Sequence, residues 1–379
     1  MSGDEIEEVD EAEGRRSIGE ILREQVVAAG RALIFPAVAL AIALLVGVVV
    51  ILITGNSVIE AYAALLRGGF GSRQALGRTI SNATPLIFTG LAVAIPFRGG
   101  LFNIGGEGQL FIGAIAGVWI GLTMPGPGPL VAFVAIIVAG LAGWIWGAIP
   151  GLLKIWGAHE VITTIMLNFI GINLTFWLAK NPLSGEGAVP GTGFVPEGVR
   201  LTRLGGGLGA AHYGFVLGIV AAIVAYILIW RTTKGYELRT VGQAPGAARY
   251  AGMSVAANSF LAIALGGMFA GLGGGLESLG TFGKVSVPFI SNLGFNGIGV
   301  ALLGRNHPAG VVLGAIFFGG LAAGAQQMQF STGVPLDLAD VLLAIVLLFV
   351  TATKLVEYLL GRRARTFAAG TRLEKGLAG

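Results

Sequence analysis

Long apolar runs alternate with short polar connections along most of the chain. A full membrane crossing takes about 20 residues, and the second and eighth of these runs fall furthest short of that length. Short runs interrupted by glycine are typical of broken helices near a transport path. The sequence therefore predicts an all-α polytopic membrane protein with about ten transmembrane helices, two of them short or broken. The predicted spans are Ala32–Thr54, Thr84–Phe97, Gln109–Thr123, Leu130–Leu153, Val161–Ala179, Tyr213–Trp230, Ser259–Leu276, Leu293–Leu303, Val311–Gln326 and Val341–Val356.

The composition supports a membrane location. Apolar residues fill 54% of the 379 positions and charged residues only 12%, whereas a soluble domain carries roughly 25% charged residues. The chain has no cysteine and three histidines, so we expect neither disulfides nor a cysteine- or histidine-based metal site. These numbers exclude a soluble cytosolic enzyme, a disordered chain and a nucleic-acid binder.

The distribution of Lys and Arg predicts which side of the membrane each end faces. With ten crossings, a cytoplasmic N-terminus places 17 of the 24 Lys and Arg on the inner side, in accord with the positive-inside rule. Residues 1–31 hold nine acidic residues and four arginines, which predicts a solvated cytoplasmic tail. The transmembrane domain is expected over 32–356 and a basic cytoplasmic tail over 357–379. We place the amphipathic stretch Ser57–Ser81 flat on the outer surface.

Glycines recur at every fourth position in three of the predicted helices. Lipid is as apolar as leucine, so close contact between small residues is what holds membrane helices together. Each stripe is therefore predicted to pack one helix against another. The stripes are Gly113, Gly117 and Gly121; Gly143, Gly147 and Gly151; and Gly267, Gly271 and Gly275.

The sequence shows neither an ATP-binding motif nor an ion-coupling site that could drive transport. It has no Gly-x-x-x-x-Gly-Lys-Ser/Thr motif for binding nucleotide phosphates. Its embedded acids, Glu107, Glu160 and Glu277, fall near helix ends, whereas an ion-driven carrier needs a charged or well-liganded site near the midplane. We therefore expect a transport subunit rather than an enzyme, with no cofactor in this chain. Hydrolysis of ATP by a separate subunit is the expected source of energy.

A glycine-rich reversal follows the second predicted span. Arg98 and Glu107 flank it, and Asn103 can cap the next helix. Two interpretations stay open for these three residues: an inner gate, or a hairpin tied by an ion pair between Arg98 and Glu107.

Polar residues within the spans are candidates for the substrate path. Thr164, Asn168 and Thr175 share one helix face. Asn168 lies about 12 Å deep at 1.5 Å per residue, where an unpaired amide is costly, so it faces either another helix or a polar path. The same two alternatives hold for Asn292 and Asn296, beside the short eighth span.

Four segments stand out, namely Pro85–Gln109, Glu160–Asn168, Val241–Met253 and Gly294–Pro308. Together they resemble the membrane permeases of bacterial ABC importers, in the group that includes ribose and branched-chain amino acid permeases. Within it, they look most like the nucleoside-type permeases that work beside a basic-membrane-protein-like lipoprotein receptor. The string Phe-Asn-Ile-Gly-Gly-Glu-Gly-Gln over residues 102–109 is similar to the longer of the two paired permease subunits.

The resemblance implies import of nucleosides across the bacterial inner membrane by alternating access. The implied partners are an ATP-binding subunit that holds the ATP, a second permease subunit and an extracytoplasmic substrate-binding lipoprotein, all around a chain embedded in the lipid bilayer. Permeases for sugars or branched-chain amino acids are the nearest alternatives. A stand-alone secondary carrier and a structural or biosynthetic membrane protein are the other two.

The third segment lies in the longest inner loop, 231–258. A short Ala-rich helix is predicted there, begun after Pro245 and stopped at Gly252. From the residues alone it could be an ordinary connection, but the resemblance implies that it is the coupling helix that docks on the ATPase. Ala244 and Gly246 depart from the family's usual residues. The implied coupling residues are Gly242, Pro245, Ala247, Ala248, Arg249, Tyr250 and Gly252.

Overall fold

The computed structural model describes residues 41–186, 189–287, 289 and 292–351, and these residues form helices and connections with only isolated β-bridges. A π-helical turn, Ser278–Phe282, follows the tenth helix directly. The helices are α1 Ala41–Ile53, α2 Val58–Phe70, α3 Arg73–Arg98, α4 Gly106–Thr123, α5 Gly128–Ile155, α6 Glu160–Lys180, α7 Gly214–Arg231, α8 Thr233–Gln243, α9 Pro245–Tyr250, α10 Val255–Glu277, α11 Leu293–Leu303, α12 Pro308–Thr332 and α13 Asp337–Thr351.

Among the described residues, 6 helices are long and apolar enough to cross a membrane: α3, α5, α6, α7, α10 with its π-helical turn, and α12. Each predicted span overlaps one helix, and the eighth, Leu293–Leu303, is the short helix α11 with the same bounds. The tails 1–31 and 357–379 lie outside the described residues. The cytoplasmic orientation of both ends therefore stays a prediction.

Two compact units divide the chain. Residues 50–340 form one unit, which contains all of α2 to α12. The described parts of the other unit are 41–49 in α1 and 341–351 in α13.

The second predicted span is a full-length helix, so the expectation that it is short is wrong. α3 has 26 residues and includes Arg73–Ser81, the last nine residues of the stretch predicted to lie flat on the outer surface, so that prediction is wrong for these nine residues. Polar residues in the first part of α3 lower its mean hydropathy, so the sequence pattern does not reveal that part of the helix. A hydropathy profile treats every residue as if it faced lipid. In the protein, 83% of its most apolar window is buried, and Thr79 and Ser81 are buried too. Ser72 begins the helix, because its Oγ accepts a hydrogen bond from the backbone N of Ala75 at 3.1 Å.

α10 is the central helix of the larger unit and packs against α3, α4 and α5. The predicted glycine stripes make the contacts of α10 with α4 and α5. Gly271 of α10 lies against Gly113 of α4 and Gly143 of α5, and a Cβ on Gly271 would lie 2.8 Å from the Gly143 Cα. Gly117 and Gly275 face each other in the same way. Helix-to-helix packing through these glycines is confirmed.

The long connection between α6 and α7 folds over the end of α10. Its backbone NH groups bond to carbonyls of the π-helical turn and the residues after it, so this connection closes the bundle at that end. The bonds are Thr192 to Val285 at 2.9 Å, Val195 to Gly283 at 2.8 Å and Leu201 to Leu279 at 3.2 Å.

Candidate transport and coupling sites

Arg98 ends α3 and joins it to the connection between α11 and α12. Its Nε donates to the carbonyl of Asn306 and its Nη2 to the carbonyl of Arg305, both at 3.0 Å. The guanidinium also lies over the Trp230 ring, 5.2 Å from its centroid. Arg98 and Glu107 form no ion pair, since the Glu107 carboxylate binds backbone NH groups of another segment. The hairpin tied by an ion pair is therefore wrong.

The chain after Arg98 turns back along α3. Gly100 has φ +72°, a conformation that favours glycine. Asn103 then donates from Nδ2 to the carbonyl of Ala92 at 3.1 Å, and Ala92 lies six residues, or about 9 Å, along α3 from Arg98. α4 consequently begins well inside the bundle and not level with the end of α3.

A pair of amides fixes this re-entering loop. Asn103 donates from Nδ2 to Gln109 Oε1 at 3.0 Å, and Gln109 donates from Nε2 to Asn103 Oδ1 at 3.3 Å. Both side chains are buried. Asn103 Oδ1 also accepts from the backbone N of Gly105 at 3.1 Å. Asn103 thus shapes the approach to α4 but makes no side-chain cap at its first turn.

Glu107 connects the start of α4 to the start of α11. Its Oε1 accepts from the backbone N of Asn292 at 2.7 Å and its Oε2 from the backbone N of Gly294 at 2.5 Å. The side chain is buried. A helix N-terminus offers unpaired NH groups and the positive end of the helix dipole, which together stabilise a carboxylate. Glu107 therefore serves as the N-terminal cap of the short helix α11.

Asn168 of α6 packs onto the same region. Its Nδ2 donates to the carbonyl of Ile104, and its Oδ1 accepts from the backbone N of Gly108, each at 2.8 Å. Thr164, one turn earlier, is buried and donates to the carbonyl of Glu160 at 2.7 Å. Both ends of the Asn168 amide thus have partners in the segment Pro85–Gln109. Of the two alternatives for Asn168, this contact with another segment of the bundle is the one that the structure shows.

The other candidate path residues lie apart from this group. Thr175 is buried further along α6, about 10 Å from Asn168, and its Oγ1 has no hydrogen-bond partner within the described residues. Asn292 is exposed in the left-handed conformation at φ 73°. Asn296 is half-buried one turn into α11. The structure therefore joins Asn103, Glu107, Asn168 and Asn292 around the start of α4, with Arg98, Thr175 and Asn296 outside that group.

The third segment forms the predicted short helix. α9 begins at Pro245, and Gly252 follows its end at φ +79°. Tyr250 is 96% exposed and Arg249 is exposed as well, whereas Ala248 is buried. α8, which the sequence did not predict, leads into this helix. Together α8 and α9 form a helical projection with an exposed aromatic ring and an exposed cation.

α8 touches the re-entering loop directly. Gly242, near the end of α8, lies against Gly100, and a Cβ on Gly100 would lie 2.9 Å from the Gly242 Cα. Leu238, one turn earlier, is buried beside Gly99. The projection is thereby in contact with the segment between Arg98 and Asn103.

The other side of α8 is tied to α10. Asn258 donates to Glu237 at 3.3 Å, and Lys234 pairs with the same carboxylate at 2.9 Å. The hydrogen bond from Lys234, and then that from Asn258, lowers the pKa of Glu237. A groove of about 480 Å³ lies between α8 and the start of α10.

Residues 75–351 match the family model described as branched-chain amino acid transport system, permease component. The chain belongs to this permease family. The permease is 40% identical to the guanosine ABC transporter permease protein NupP of Bacillus subtilis, over 87% of this chain and 96% of that one. It is 33% identical to the glucose ABC transporter permease protein TsgB13 of Haloferax volcanii, over 84% and 87%. It is 31% identical to the nucleoside ABC transporter permease protein NupB of Lactococcus lactis, over 91% and 98%.

Each of these three organisms contains a second permease that matches this chain, which in Haloferax volcanii is the putative glucose ABC transporter permease protein TsgC13. NupQ of Bacillus subtilis and NupC of Lactococcus lactis are each 28% identical to this chain. The relatives are thus ABC permeases that occur in pairs. No solved structure matches the chain.

The family and the apolar helices make the permease a multi-pass plasma membrane protein and a transport component. Sequence reasoning missed two residues of the group around the start of α4, Gln109 and Gly294. Gln109 lies two positions after Glu107 in the motif over residues 102–109, and this position could have indicated its role. Gly294 must be small, because a Cβ there would lie 2.5 Å from the Glu107 Cα.

Proposed function

We propose that the permease imports nucleosides by alternating access, driven by ATP hydrolysis in separate subunits. Two of its relatives are named for guanosine and nucleoside transport, and this chain covers 96% and 98% of their lengths. Matches of that extent favour a shared substrate class. The match to a permease component also favours a subunit of an importer over a stand-alone carrier.

The contact between Gly242 and Gly100 carries the mechanism. In this proposal α9 docks on the ATPase through Arg249 and Tyr250. A displacement of α9 reaches α8, and through Gly242 it reaches the loop that leads to Asn103 and Glu107. Because Glu107 caps α11, the same displacement moves the start of that short helix. The loop 99–105 is thus the inner gate.

The proposed assembly has a second permease subunit, an ATP-binding subunit and an extracytoplasmic lipoprotein receptor. The paired permeases of the relatives support the second permease. Thr164, Asn168, Thr175, Asn292 and Asn296 are proposed to line or support the path. Thr175 is the strongest of them, since its buried hydroxyl has no partner within the described residues.

The double variant Arg249→Asp, Tyr250→Asp tests the coupling surface. Two carboxylates would replace a cation and a ring, and desolvating an unpaired carboxylate costs several kcal/mol. We expect loss of ATPase co-purification and of nucleoside uptake, with normal amounts of permease in the membrane.

A matched control places two aspartates at the exposed Val189 and Gly205, which lie in the connection between α6 and α7. This control is expected to keep both ATPase co-purification and nucleoside uptake. Full uptake and full co-purification in the double variant would contradict the docking of α9 on the ATPase.

Sugar uptake is the second candidate, because the glucose permease relative is 33% identical to this chain. Competition of labelled guanosine uptake by unlabelled nucleosides and by glucose separates the two. The candidates share one chemical feature, a sugar ring with neighbouring hydroxyl groups.

A further inference from the structure

A buried carboxylate lies at the end of α10 and has no part in the contacts described above. Glu277 is 4% exposed, and its Oε2 has no hydrogen-bond partner in the described part of the chain. A buried acceptor without a partner costs free energy. Such a group inside a membrane protein points to a function in binding or transport.

The surroundings of Glu277 form a polar row. Thr281 hydrogen-bonds to the Glu277 side chain, and the Thr281 Oγ1 lies 3.3 Å from Nε2 of His212. The Nδ1 of His212 accepts from the backbone N of Gly214 at 3.2 Å. Burial, and then the charge of Arg203, lowers the pKa of His212 to about 4, so its ring is neutral at pH 7.

The direction of the hydrogen bonds follows from this neutral ring. Since Nδ1 accepts, Nε2 carries the proton and donates to Thr281. The Thr281 hydroxyl then donates to Glu277. His212 and Thr281 therefore hold one face of the carboxylate, and Oε2 is left to accept from another donor.

Access to the carboxylate comes from Thr281. This residue is exposed, whereas Glu277, one turn earlier, is buried. Both belong to the junction between α10 and its π-helical turn Ser278–Phe282. Thr281 is therefore the exposed end of a polar row whose buried end is Glu277.

We infer that Glu277 is a substrate-binding residue, whose carboxylate accepts hydrogen bonds from neighbouring hydroxyl groups on the sugar ring of the substrate. This inference rests on the proposed function, since both candidate substrates carry such a ring. Thr281 lies at the entrance of the site, and His212 positions Thr281.

The test uses the complete importer in membrane vesicles with labelled guanosine and 2′,3′-dideoxyguanosine. The wild-type importer is expected to prefer guanosine. Glu277→Gln keeps the shape but replaces one acceptor oxygen by an amide NH2, which only donates, so the hydrogen bond from a substrate hydroxyl is lost. We expect KM for guanosine to rise roughly tenfold or more, and the preference over the dideoxy analogue to fall by the same factor. The receptor is unchanged between the two importers, so its own selectivity cancels.

Glu197→Gln, at an exposed acid of the connection between α6 and α7, is the control and is expected to keep the preference. Thr281→Ala, at an exposed position, is the second variant if Glu277→Gln does not reach the membrane, and it is expected to weaken the preference. An unchanged preference in Glu277→Gln, or in Thr281→Ala where that variant is used, would overturn the inference. Failure of the wild-type importer to transport any nucleoside would instead reject the proposed substrate. The same comparison is then made with glucose and a dideoxyglucose.

Discussion

Single residues decide how closely the helices of this bundle approach one another. The backbones of α4, α5 and α10 meet at glycines, and there is no room for a side chain between them. Close approach of this kind replaces the hydrophobic effect, which cannot hold helices together in lipid.

Gly271→Leu is expected to break the tightest of these contacts. Its side chain would meet the Ala139 carbonyl and the Gly143 backbone, and overpacking costs about 1–3 kcal/mol. Reduced expression and a lower unfolding temperature in detergent are the expected results. Gly205→Leu is the control, because nothing lies within 4 Å of a Cβ at that glycine. Wild-type stability of the Gly271 variant would show that α10 does not pack in this way.

At the same scale, spacing could predict which glycines pack, but it could not predict where polar side chains find partners. Asn168 and Glu107 stand out in the sequence as polar residues in apolar surroundings. Their partners are backbone groups of Ile104, Gly108, Asn292 and Gly294, and no side-chain pattern reports on these. An ion pair between Arg98 and Glu107 looked plausible only because both residues flank one reversal.

At the scale of elements, the re-entering loop 99–105 connects the coupling surface to the interior. Gly100 contacts α8 near the C-terminal end of that helix, and Asn103 and Glu107 lie deeper in the bundle. The loop gives motion of α9 a direct route to α11, because Glu107 follows it and caps that helix.

Gly100→Ala is expected to reduce nucleoside uptake roughly tenfold while the ATPase still co-purifies. The new Cβ would lie 2.9 Å from Gly242 at a φ of +72°, and residues held in such conformations cost about 1–3 kcal/mol. Gly333→Ala is the matched control, since Gly333 has the same φ of +72° and nothing within 4 Å of an added Cβ. Normal uptake by the Gly100 variant would mean that the loop does not transmit the motion.

The bounds of a helix could be predicted well where its apolar surface is exposed. They could be predicted less well where the helix is buried within the protein. α5, α6 and α7 are exposed apolar helices, and their predicted bounds agree with the structure to within two residues. α3 was underestimated by eleven residues at its start, because it is buried in protein and tolerates polar residues there. α8 was missed because its stabilisation comes from contacts with Gly99, Gly100 and Asn258.

At the scale of the whole molecule, docking of α9 on the ATPase requires α9 to face the cytoplasm. The chain has no cysteine, so Gly246→Cys introduces a single thiol at a glycine with open space around it. An impermeant thiol reagent is expected to label it in inverted membrane vesicles and not in intact cells. Labelling from outside intact cells would reverse the topology.

ATP-driven nucleoside uptake by the reconstituted importer tests the central claim most directly. The permease is placed in liposomes with its second permease and ATPase subunits, and the receptor is supplied outside with labelled guanosine. We predict guanosine accumulation only when ATP is enclosed, and none with a non-hydrolysable analogue. Accumulation driven by an ion gradient in the absence of the ATPase would contradict the account.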